Sequence, residues 1–438
     1  MKISVFGLGY VGCVSAACLA HEGHQVVGVD VNPEKVAMVA AGRTPVLEER
    51  IDALIAETVA AGSLRATTDA GEAVQATEIA LVCVGTPSGS HGRLSTAALE
   101  RAAEQIGAAL AGRKGRFTVV FRSTMLPGTC EEVLQPILTR GAGREPGTEL
   151  GLAVNPEFLR EGSGVADFFE PPKLVVGGVD ERSAREVLAL YDGLDCPVFS
   201  VPIRVAELAK YVDNAFHGLK VGFANEIGAL ARELGVDSHR VMEIFRSDTK
   251  LNISSAYLTP GFAFGGSCLP KDLRALAGHA RGLGLSLPII EHVLASNDEH
   301  LRRTLELVVD SGRRRVGLFG LAFKQGTDDL RESPLVELGE RLLGKGYELK
   351  IYDPYVSLSQ LTGANRAYIE THLPHLADLL ADSADEVLAH AEVCVVGSKE
   401  QAVVEAIARA DGRLVIDLVR LPDADVLRGQ AEYVGVAW

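Results

Sequence analysis

A glycine fingerprint near the start of the chain limits the folds open to it. The motif Gly7-Leu-Gly9-Tyr-Val-Gly12 follows an apolar run over 2–6 and precedes a helical pattern over 13–21. In a strand-to-helix turn of this kind, the first glycine allows the tight turn and the second lets the backbone approach a pyrophosphate. The third lets the helix pack closely on the strand. The pattern therefore predicts a dinucleotide-binding βα unit.

The next strand carries the second part of that signature. The apolar segment 25–29 ends at Asp30, which lies 18 positions after Gly12. This is close to the ~20 positions expected for an acid that binds the ribose 2′-hydroxyl. The following residues are Val31 and Asn32, with no arginine that could pair with a 2′-phosphate. The sequence therefore favours NAD over NADP.

Short, nearly unbroken apolar segments recur along the chain, separated by helical patterns. Such segments indicate parallel strands that are covered on both faces. We predict two Rossmann-like parallel-sheet domains of the α/β class, joined by a long central helix or helical domain. The expected boundaries are 1–200, 201–300 and 301–438. The predicted strands after 25–29 are 78–84, 117–121, 151–154, 174–177, 316–319, 349–352, 393–396 and 414–417.

A proline-free helical pattern over 205–234 predicts a helix of about 45 Å at ~1.5 Å per residue. Polar residues recur on one of its faces: Glu207, Lys210, Asn214 and His217. A polar stripe is usually a solvated face, but this one lacks the mixed charge pairs that such faces carry. We expect the stripe to face a cleft, with Lys210 and Asn214 pointing the same way at i and i+4.

The segment 260–272 places Cys268 in a glycine-rich loop, followed by Lys271 and Asp272. A thiol beside cationic groups can hold a depressed pKa and act as a nucleophile. The alternative is that Cys268 is a small buried hydrophobe. The other six cysteines are expected to pack in the interior, since no CxxC pair indicates a zinc site or a disulfide framework.

Composition excludes several classes of function. A formal net charge of −15 argues against a large surface for nucleic acid or anionic membranes. No run of ~20 apolar residues could span a bilayer, and no targeting segment is evident. We expect a cytoplasmic protein with two or three domains and no metal site.

The motifs together resemble those of the UDP-glucose/GDP-mannose dehydrogenase family over essentially the whole chain. Besides the fingerprint and the cysteine loop, the resemblance rests on VGTPS at 84–88, STMLPGT at 123–129, NPEFLREG at 155–162 and FKQGTDDLRESP at 323–334. Members of this family use two NAD molecules to oxidise the primary alcohol at C6 of a nucleotide sugar to a carboxylate. They are at least homodimers, assembled through the central helix, and the segment 254–260 is implied to reach the partner.

The resemblance also implies catalytic roles. Cys268 would capture the aldehyde as a thiohemiacetal, which a second oxidation converts to a thioester. Lys210 would supply positive charge to the reacting oxygen, Asn214 a hydrogen bond, and Asp272 would orient Lys210 or Cys268. Thr124, Glu157 and Glu161 are implied to position water and assist hydrolysis.

Binding roles follow from the same resemblance. The implied NAD contacts are Gly7, Gly9, Tyr10, Val11, Gly12, Asp30, Lys35, Thr86, Thr124, Lys271 and Arg331. The implied nucleotide-sugar contacts are Leu159, Arg160, Glu161, Lys210, Asn214, His217, Asn225, Tyr257, Phe262, Gly265 and Lys324.

The cysteine loop and the C-terminal lobe favour GDP-mannose as substrate. UDP-glucose is the alternative, because the GDP-mannose type carries an aromatic and a basic residue where this chain has Ala256 and Thr259.

Two other classes of protein share part of this pattern. A single-step 3-hydroxyacid dehydrogenase also uses lysine and asparagine, but it has no need for Cys268 or for a C-terminal lobe. A non-catalytic NAD-binding protein would have no need for Lys210, Asn214 and Asp272 beside Cys268. Both are less favoured than a nucleotide-sugar dehydrogenase.

Overall fold

The computed structural model of the protein describes most of the chain in two compact units, Met1–Gly218 and Leu219–Trp438. The division falls within one long helix, Ile203–Glu233. The described residues are 1–46, 48–87, 94–258, 260–266, 269–322, 330–356, 369, 376–422, 427–429 and 431–437.

The described part of the first unit is built on an eight-stranded sheet in the order β3-β2-β1-β4-β5-β6-β7-β8. Strands β1 to β6 run parallel, as predicted. Their bounds are β1 Lys2–Phe6, β2 Gln25–Val29, β3 Leu64–Thr67, β4 Ile79–Val82, β5 Phe117–Phe121, β6 Leu150–Val154, β7 Leu174–Gly178 and β8 Val198–Val201.

Helices cover both faces of this sheet over two hydrophobic cores. Several begin at a residue whose side chain accepts a backbone N–H, as capping chemistry favours: Asn32, Asp69 and Asp180. The helices are α1 Tyr10–His21, α2 Pro33–Ala40, α3 Ile51–Ala60, α4 Ala70–Ala76, α5 Ala97–Leu110, α6 Gln135–Ala142, α7 Gly164–Phe169 and α8 Glu181–Leu188, with a π-helical turn over Cys130–Leu134 and a 3-10 turn over Ala189–Tyr191.

The second unit combines helices with a second parallel sheet in the order β10-β9-β11-β12-β13. Its helices begin within α9 Ile203–Glu233 and continue with α10 Ser238–Ser247, α11 Leu269–Gly282, α12 Pro288–Asp310, α13 Pro334–Gly344, α14 Leu376–Leu379, α15 Ala384–His390 and α16 Gln401–Ile407. Its strands are β9 Arg315–Phe319, β10 Glu348–Tyr352, β11 Val393–Val396, β12 Leu414–Asp417 and β13 Glu432–Gly435.

The second sheet repeats the backbone geometry at the start of the first. Gly7 has φ 93° and donates its N–H to Val29, while Gly320 has φ 103° and donates to Tyr352, both at 2.7 Å. After the second strand of each sheet an aspartate accepts the N–H of the residue that follows this glycine. Asp30 accepts from Leu8 at 2.7 Å, and Asp353 accepts from Leu321 at 2.8 Å. The two lobes therefore share a local turn design, although only the first has the full fingerprint.

The predicted α/β fold, with its two parallel sheets and long helix, is confirmed, but one strand direction differs. Strand β7 runs antiparallel to β6, and β8 then follows β7 in parallel. A buried strand has the same apolar pattern in either direction, so its sequence does not reveal this reversal. Strands β3, β8 and β13 were not predicted; β3 and β13 carry polar residues, and β8 is largely exposed.

Within the described ranges, the structure contains no helix with the length and apolar character needed to cross a bilayer.

Helix α9 is held at its N-terminal end by a buried carboxylate, which corrects one expectation. Glu207 does not face a cleft: it is 2% exposed, and its oxygens accept the backbone N–H groups of Gly128 at 2.6 Å and Cys130 at 2.8 Å. These amides precede and begin the π-helical turn, so Glu207 satisfies donors that a helix start leaves open. Helical spacing alone placed Glu207 in the polar stripe, but the tertiary contact uses it for anchoring.

We expect Glu207→Ala to destabilise the protein by on the order of 2–4 kcal/mol, because each buried donor that loses its acceptor costs about 1–3 kcal/mol. Chemical denaturation followed by circular dichroism measures the effect. Glu233→Ala, which alters an exposed glutamate at the end of the same helix, is the matched control. Equal stability of the two variants would contradict the anchoring role.

The same carboxyl group gives a pH-dependent test. Burial raises the pKa of Glu207 above its usual value of 4.5, against the two backbone hydrogen bonds that lower it. A raised folded-state pKa means that the contribution to stability is present at low pH and is lost as pH rises through that pKa. Glu207→Gln stays neutral, so its stability relative to the wild type should increase as pH rises from about 4.5. A flat or opposite trend would count against this assignment.

Candidate active site

The first unit contains a cavity of about 410 Å³ at the carboxyl ends of β1, β2 and β4. In parallel sheets, ligands bind outside the strand carboxyl ends, where the strand order reverses. Strand β1 lies between β2 and β4, which is that position in this sheet. Among the predicted cofactor residues, the cavity is lined by Gly7, Gly9, Asp30 and Lys35.

Glycine stands at positions 9 and 12 of the fingerprint for different structural reasons. A Cβ on Gly12 would lie 1.8 Å from the carbonyl oxygen of Gly7, so helix and turn pack too closely for any side chain. A Cβ on Gly9 would meet no atom within 4 Å, and its φ of −76° is ordinary for any residue. The protein itself therefore does not require glycine at position 9. A pyrophosphate approaching the N-terminus of α1 would require it, so the turn fits NAD.

Asp30 is positioned rigidly at the rim of this cavity. One of its carboxylate oxygens accepts the N–H of Leu8 and the other that of Asn32, at 2.7 and 2.8 Å. The ammonium of Lys35 lies 3.8 Å from Asp30 Oδ2. A carboxylate has about four acceptor sites, so these contacts leave capacity for a ribose hydroxyl.

Thr86 and Thr124 follow neighbouring strands, β4 and β5, and they are joined directly. The hydroxyl of Thr86 donates to the backbone carbonyl of Thr124 at 2.8 Å. The hydroxyl of Ser123 likewise donates to the backbone carbonyl of Val84 at 2.6 Å. The structure thus brings the two predicted threonines together in one edge of the sheet.

Lys210 forms an ion pair with Glu157 that the sequence did not predict as a pair. Their charged atoms lie 3.1 Å apart, and each side chain is only 12% exposed. The second oxygen of Glu157 accepts the N–H of Leu159 at 2.8 Å. A lysine held by a partly buried carboxylate is fixed in position, which suits the stabilisation of a developing oxyanion.

A second lysine stands beside this pair. The ring of Phe158 has Lys173 Nζ 4.6 Å from its centroid and Lys210 Nζ 5.7 Å from it. Lys173 is itself paired with Asp213 of α9 at 2.6 and 2.9 Å. Two lysine–carboxylate pairs therefore flank one aromatic ring and tie α9 to the segment after β6.

A buried polar network supports the start of that segment. Arg122, which is 5% exposed, donates to the side-chain oxygen of Asn155 at 2.5 Å and to the hydroxyl of Tyr191 at 2.9 Å. Asn155 donates in turn to the carbonyl of Val175 at 2.8 Å. Asn155 lies two residues before Glu157, so this network fixes the backbone from which Glu157 projects.

The predicted substrate residues of this segment have different surroundings. Leu159 is half-buried against the first core. The guanidinium of Arg160 binds Asp167 through two hydrogen bonds, at 2.6 and 3.1 Å, and this contact raises the pKa of Arg160 and lowers that of Asp167. Glu161 is exposed, as are Asn214 and His217 on α9. Val11, in the first turn of α1, is half-buried.

In the second unit, helix α12 anchors the loop that leads to the cysteine. The side-chain amide of Asn297 accepts the N–H of Phe264 and donates to its carbonyl, both at 2.8 Å. The Nε2 atom of His300 lies 2.6 Å from the carbonyl oxygen of Gly261. The predicted substrate residue Phe262 packs its ring 6.3 Å from that of His300. Asn297 and His300, at i and i+3, thus hold the loop before Cys268.

Gly265 is explained by a close backbone approach. A Cβ at this position would lie 2.2 Å from the carbonyl oxygen of Glu332 and 2.6 Å from Pro334 Cδ. Glu332 has φ 49°, and its carboxylate receives a hydrogen bond from Arg274 at 2.5 Å. Packing within this unit is therefore enough to require glycine at position 265. A contact of Gly265 with the substrate stays a prediction.

The remaining predicted residues lie in the second unit. Asp272 pairs with Lys271, and both side chains are exposed. Asn225 and Tyr257 are exposed, Tyr257 with φ 63°, and Arg331 is half-buried. Cys268, Lys324 and Thr259 fall outside the described residues.

The cysteines of the described ranges are held as packing groups, as predicted for them. Burial raises the pKa of Cys13 to about 11 and that of Cys18, Cys83 and Cys394 to about 12. Burial also raises the pKa of Cys130 well above its usual value. Cys196 is half-buried. A buried thiol with a raised pKa is a poor nucleophile.

Sequence reasoning missed several residues that anchor these segments. In the first unit they are Asp167, Lys173 and Asp213, and in the second unit they are Asn297, His300 and Glu332. Asn297 and His300 carried a weak signal, as polar residues spaced i, i+3 on an amphipathic helix. Asp167 lies only 7 positions from its partner Arg160, but no spacing rule connects the two. The partners of Lys173, Asp213 and Glu332 are distant in sequence. Within the described residues, no group of three or more histidine, cysteine, aspartate or glutamate side chains is arranged to hold a metal ion.

Comparison with known proteins identifies close relatives over the full chain. The chain is 46% identical to the GDP-mannose 6-dehydrogenase of Pseudomonas putida over 96% of each protein. A crystal structure of a ternary complex of GDP-mannose dehydrogenase from Pseudomonas aeruginosa is 43% identical, with a TM-score of 0.95 over 100% of both chains. A UDP-glucose dehydrogenase from Pyrobaculum islandicum is 36% identical, with a TM-score of 0.56 over 100% of this chain and 97% of that one.

Three models of one family match consecutive parts of the chain. The matches are to the NAD binding domain over 1–195, the central domain over 204–299 and the UDP binding domain over 317–423 of the UDP-glucose/GDP-mannose dehydrogenase family. They confirm the predicted NAD cofactor and the predicted class of NAD-dependent nucleotide-sugar dehydrogenase. The chain belongs to the UDP-glucose/GDP-mannose dehydrogenase family.

Proposed function

We propose that the protein oxidises GDP-mannose at C6 to GDP-mannuronate with two molecules of NAD. The observation that carries this proposal is the full-length match, in sequence and structure, to GDP-mannose dehydrogenases. The match to a UDP-glucose dehydrogenase is lower in both identity and TM-score. The departures at Ala256 and Thr259 make UDP-glucose the competing substrate.

The reaction balances as two hydride transfers and one hydrolysis. The primary alcohol, two NAD⁺ and one water give the carboxylate, two NADH and three protons. NAD supplies the hydride acceptor for each oxidation. The Cys268 thiolate adds to the aldehyde carbon, the second hydride leaves this thiohemiacetal, and water cleaves the resulting thioester to regenerate the thiolate. Covalent capture prevents escape of the aldehyde between the oxidations.

The first unit supplies the charged groups that this chemistry needs. Lys210, fixed by Glu157 at 3.1 Å, stabilises the negative charge that develops on the reacting oxygen. Glu157 and Glu161 are the candidate acids and bases for hydrolysis, and Thr124 positions water. Asn214 donates a hydrogen bond to the sugar oxygen or to that water.

The raised pKa values of the buried cysteines support Cys268 as the nucleophile. Thiols such as Cys83 and Cys394 are buried and protonated, so they cannot take that role. In the sequence, Cys268 is followed by Lys271 and Asp272, and the segment 261–264 before it is anchored on Asn297 and His300.

We further propose that the protein is a cytoplasmic homo-oligomer, at least a dimer, assembled through α9. Large apolar side chains lie exposed along this helix, which supports burial against a second copy: Val205, Leu208, Val212, Phe216, Leu219 and Val221. The unpaired cysteines of the described ranges agree with a reducing compartment.

The substrate is tested by NADH production from GDP-mannose and UDP-glucose side by side. We expect GDP-mannose to give two NADH per sugar and a uronate product. Buried hydrogen bonds left unpaired by the wrong base cost ~1–3 kcal/mol each. Two such contacts predict a kcat/KM preference of about a hundredfold. A higher kcat/KM for UDP-glucose would overturn the substrate, and one NADH with free aldehyde would overturn the covalent mechanism.

The nucleophile is tested by Cys268→Ala. This change should abolish uronate formation and leave NAD affinity near normal, because the fingerprint belongs to a different segment of the chain. Cys196→Ala, which alters a half-buried cysteine, is the matched control and should retain turnover. Isothermal titration with NAD and mass spectrometry of the product separate the two effects. Wild-type turnover by Cys268→Ala would remove the covalent mechanism.

The cofactor contact is tested by Asp30→Ala. The change should weaken NAD by more than tenfold, since a hydrogen bond to a charged group contributes roughly 1.5–3 kcal/mol. NADP should be weakened less, because the removed carboxylate also repels a 2′-phosphate. The readout is the ratio of the KM values for NAD and NADP. Local damage from losing the hydrogen bonds to Leu8 and Asn32 affects both cofactors and cancels in this ratio. Glu34→Ala, an exposed neighbour, is the control, and an unchanged ratio would contradict the assignment.

A further inference from the structure

We propose that Glu48 is a positioning residue for the hydrolytic half of the reaction, which rests on the role proposed above for Glu161. Glu48 lies outside every motif of the sequence. One of its carboxylate oxygens accepts the hydroxyl of Tyr10 at 2.5 Å and the backbone N–H of Gly162 at 2.8 Å. A single atom thus connects the start of the dinucleotide-binding helix to the residue after Glu161.

The tyrosine makes the connection on the cofactor side. Tyr10 is the first residue of α1 and follows Gly9 directly. Its hydroxyl also lies 2.7 Å from the carbonyl oxygen of Arg160. Burial and the Glu48 carboxylate raise the pKa of Tyr10, whereas a backbone hydrogen bond from Gly164 lowers it. The neutral hydroxyl therefore contacts the backbone on both sides of Glu161.

The hydroxyl of Tyr10 leaves no room for a side chain at position 164, just after the loop that contains Glu161. A Cβ on Gly164 would lie 2.3 Å from the hydroxyl oxygen of Tyr10. On the other side of the loop, Asp167 accepts the backbone N–H of Arg160 at 2.9 Å and the hydroxyl of Ser163 at 3.1 Å. The backbone of the loop is therefore fixed from both directions, while the side chain of Glu161 stays exposed.

The two carboxylate oxygens of Glu48 differ in their hydrogen bonding. One oxygen makes both hydrogen bonds, and the other, Oε1, is buried without a hydrogen-bond partner among the described residues. A buried unpaired acceptor is a cost to stability. The loop geometry that the paired oxygen maintains supplies a functional reason for keeping this carboxylate.

The consequence concerns the two halves of the reaction. The N-terminus of α1 is the expected pyrophosphate site. Tyr10, which begins this helix, also contacts the backbone on both sides of Glu161. Loss of Glu48 should leave hydride transfer, which uses the cofactor and Lys210, largely intact. It should slow hydrolysis of the acyl-enzyme, which uses Glu161.

The test compares Glu48→Ala with Glu49→Ala, an exposed glutamate next to it, in the full-length enzyme. Reactions with GDP-mannose and NAD are stopped in acid, and the covalent adduct on Cys268 is measured by intact-protein mass spectrometry. A displacement of about 1 Å can cost up to about a hundredfold in rate. We therefore expect kcat of Glu48→Ala to fall by about tenfold or more, with a larger adduct fraction than in the wild type and in Glu49→Ala.

Two further variants keep the test informative if Glu48→Ala folds poorly. Glu48→Gln retains an acceptor oxygen and should recover part of the activity. Tyr10→Phe removes the hydroxyl alone and should also accumulate the adduct, and its effect should not add to that of Glu48→Ala, because the two groups share one contact.

The inference is overturned if Glu48→Ala and Tyr10→Phe turn over with an unchanged adduct fraction. It is also overturned if adduct formation and kcat fall together, since this would place Glu48 in cofactor binding or folding. Failure of the proposed function has a different signature: the wild type itself would form neither the adduct nor two NADH per sugar.

Discussion

The parallel alignment of β1, β2, β4, β5 and β6 is the constraint on which the candidate site of the first unit depends. Because these strands run the same way, their carboxyl ends share one edge of the sheet. The fingerprint, Asp30, Thr86, Thr124 and Glu157 follow these strands in turn and are thereby gathered from 150 residues of chain. No contact among the site residues is required to assemble them, because the backbone hydrogen bonds of the sheet do so.

Charged groups then refine the positions that the sheet sets. Glu207 fixes the start of α9 to the π-helical turn, and one turn later Lys210 meets Glu157. Arg122 holds Asn155, two residues before Glu157. Burying such groups is costly, and it is weak evidence for stability. Their shared effect is to orient one lysine and one carboxylate, which is the requirement of electrostatic catalysis.

The second unit shows the same principle, with side chains that hold a backbone segment in place. Asn297 and His300 take three backbone contacts of the segment 261–264, and Gly266 donates to the carbonyl of Glu332 at 3.3 Å. A loop held by its backbone can vary its side chains and still keep its path. This property suits a family whose members share a chemistry and differ in the nucleotide sugar they oxidise.

The sequence by itself determined the elements whose signals are local. The fingerprint, Asp30, the buried strands and the long helix all have short-range patterns, and the structure contains each of them. Only the tertiary structure decided the direction of β7, the anchoring role of Glu207 and the pairing of Lys210 with Glu157. It also revealed Glu48, whose partners Tyr10 and Gly162 lie 38 and 114 positions away. The physical reason is the same in each case: periodicity reports which face of an element is apolar, but a polar partner is chosen by how the elements pack.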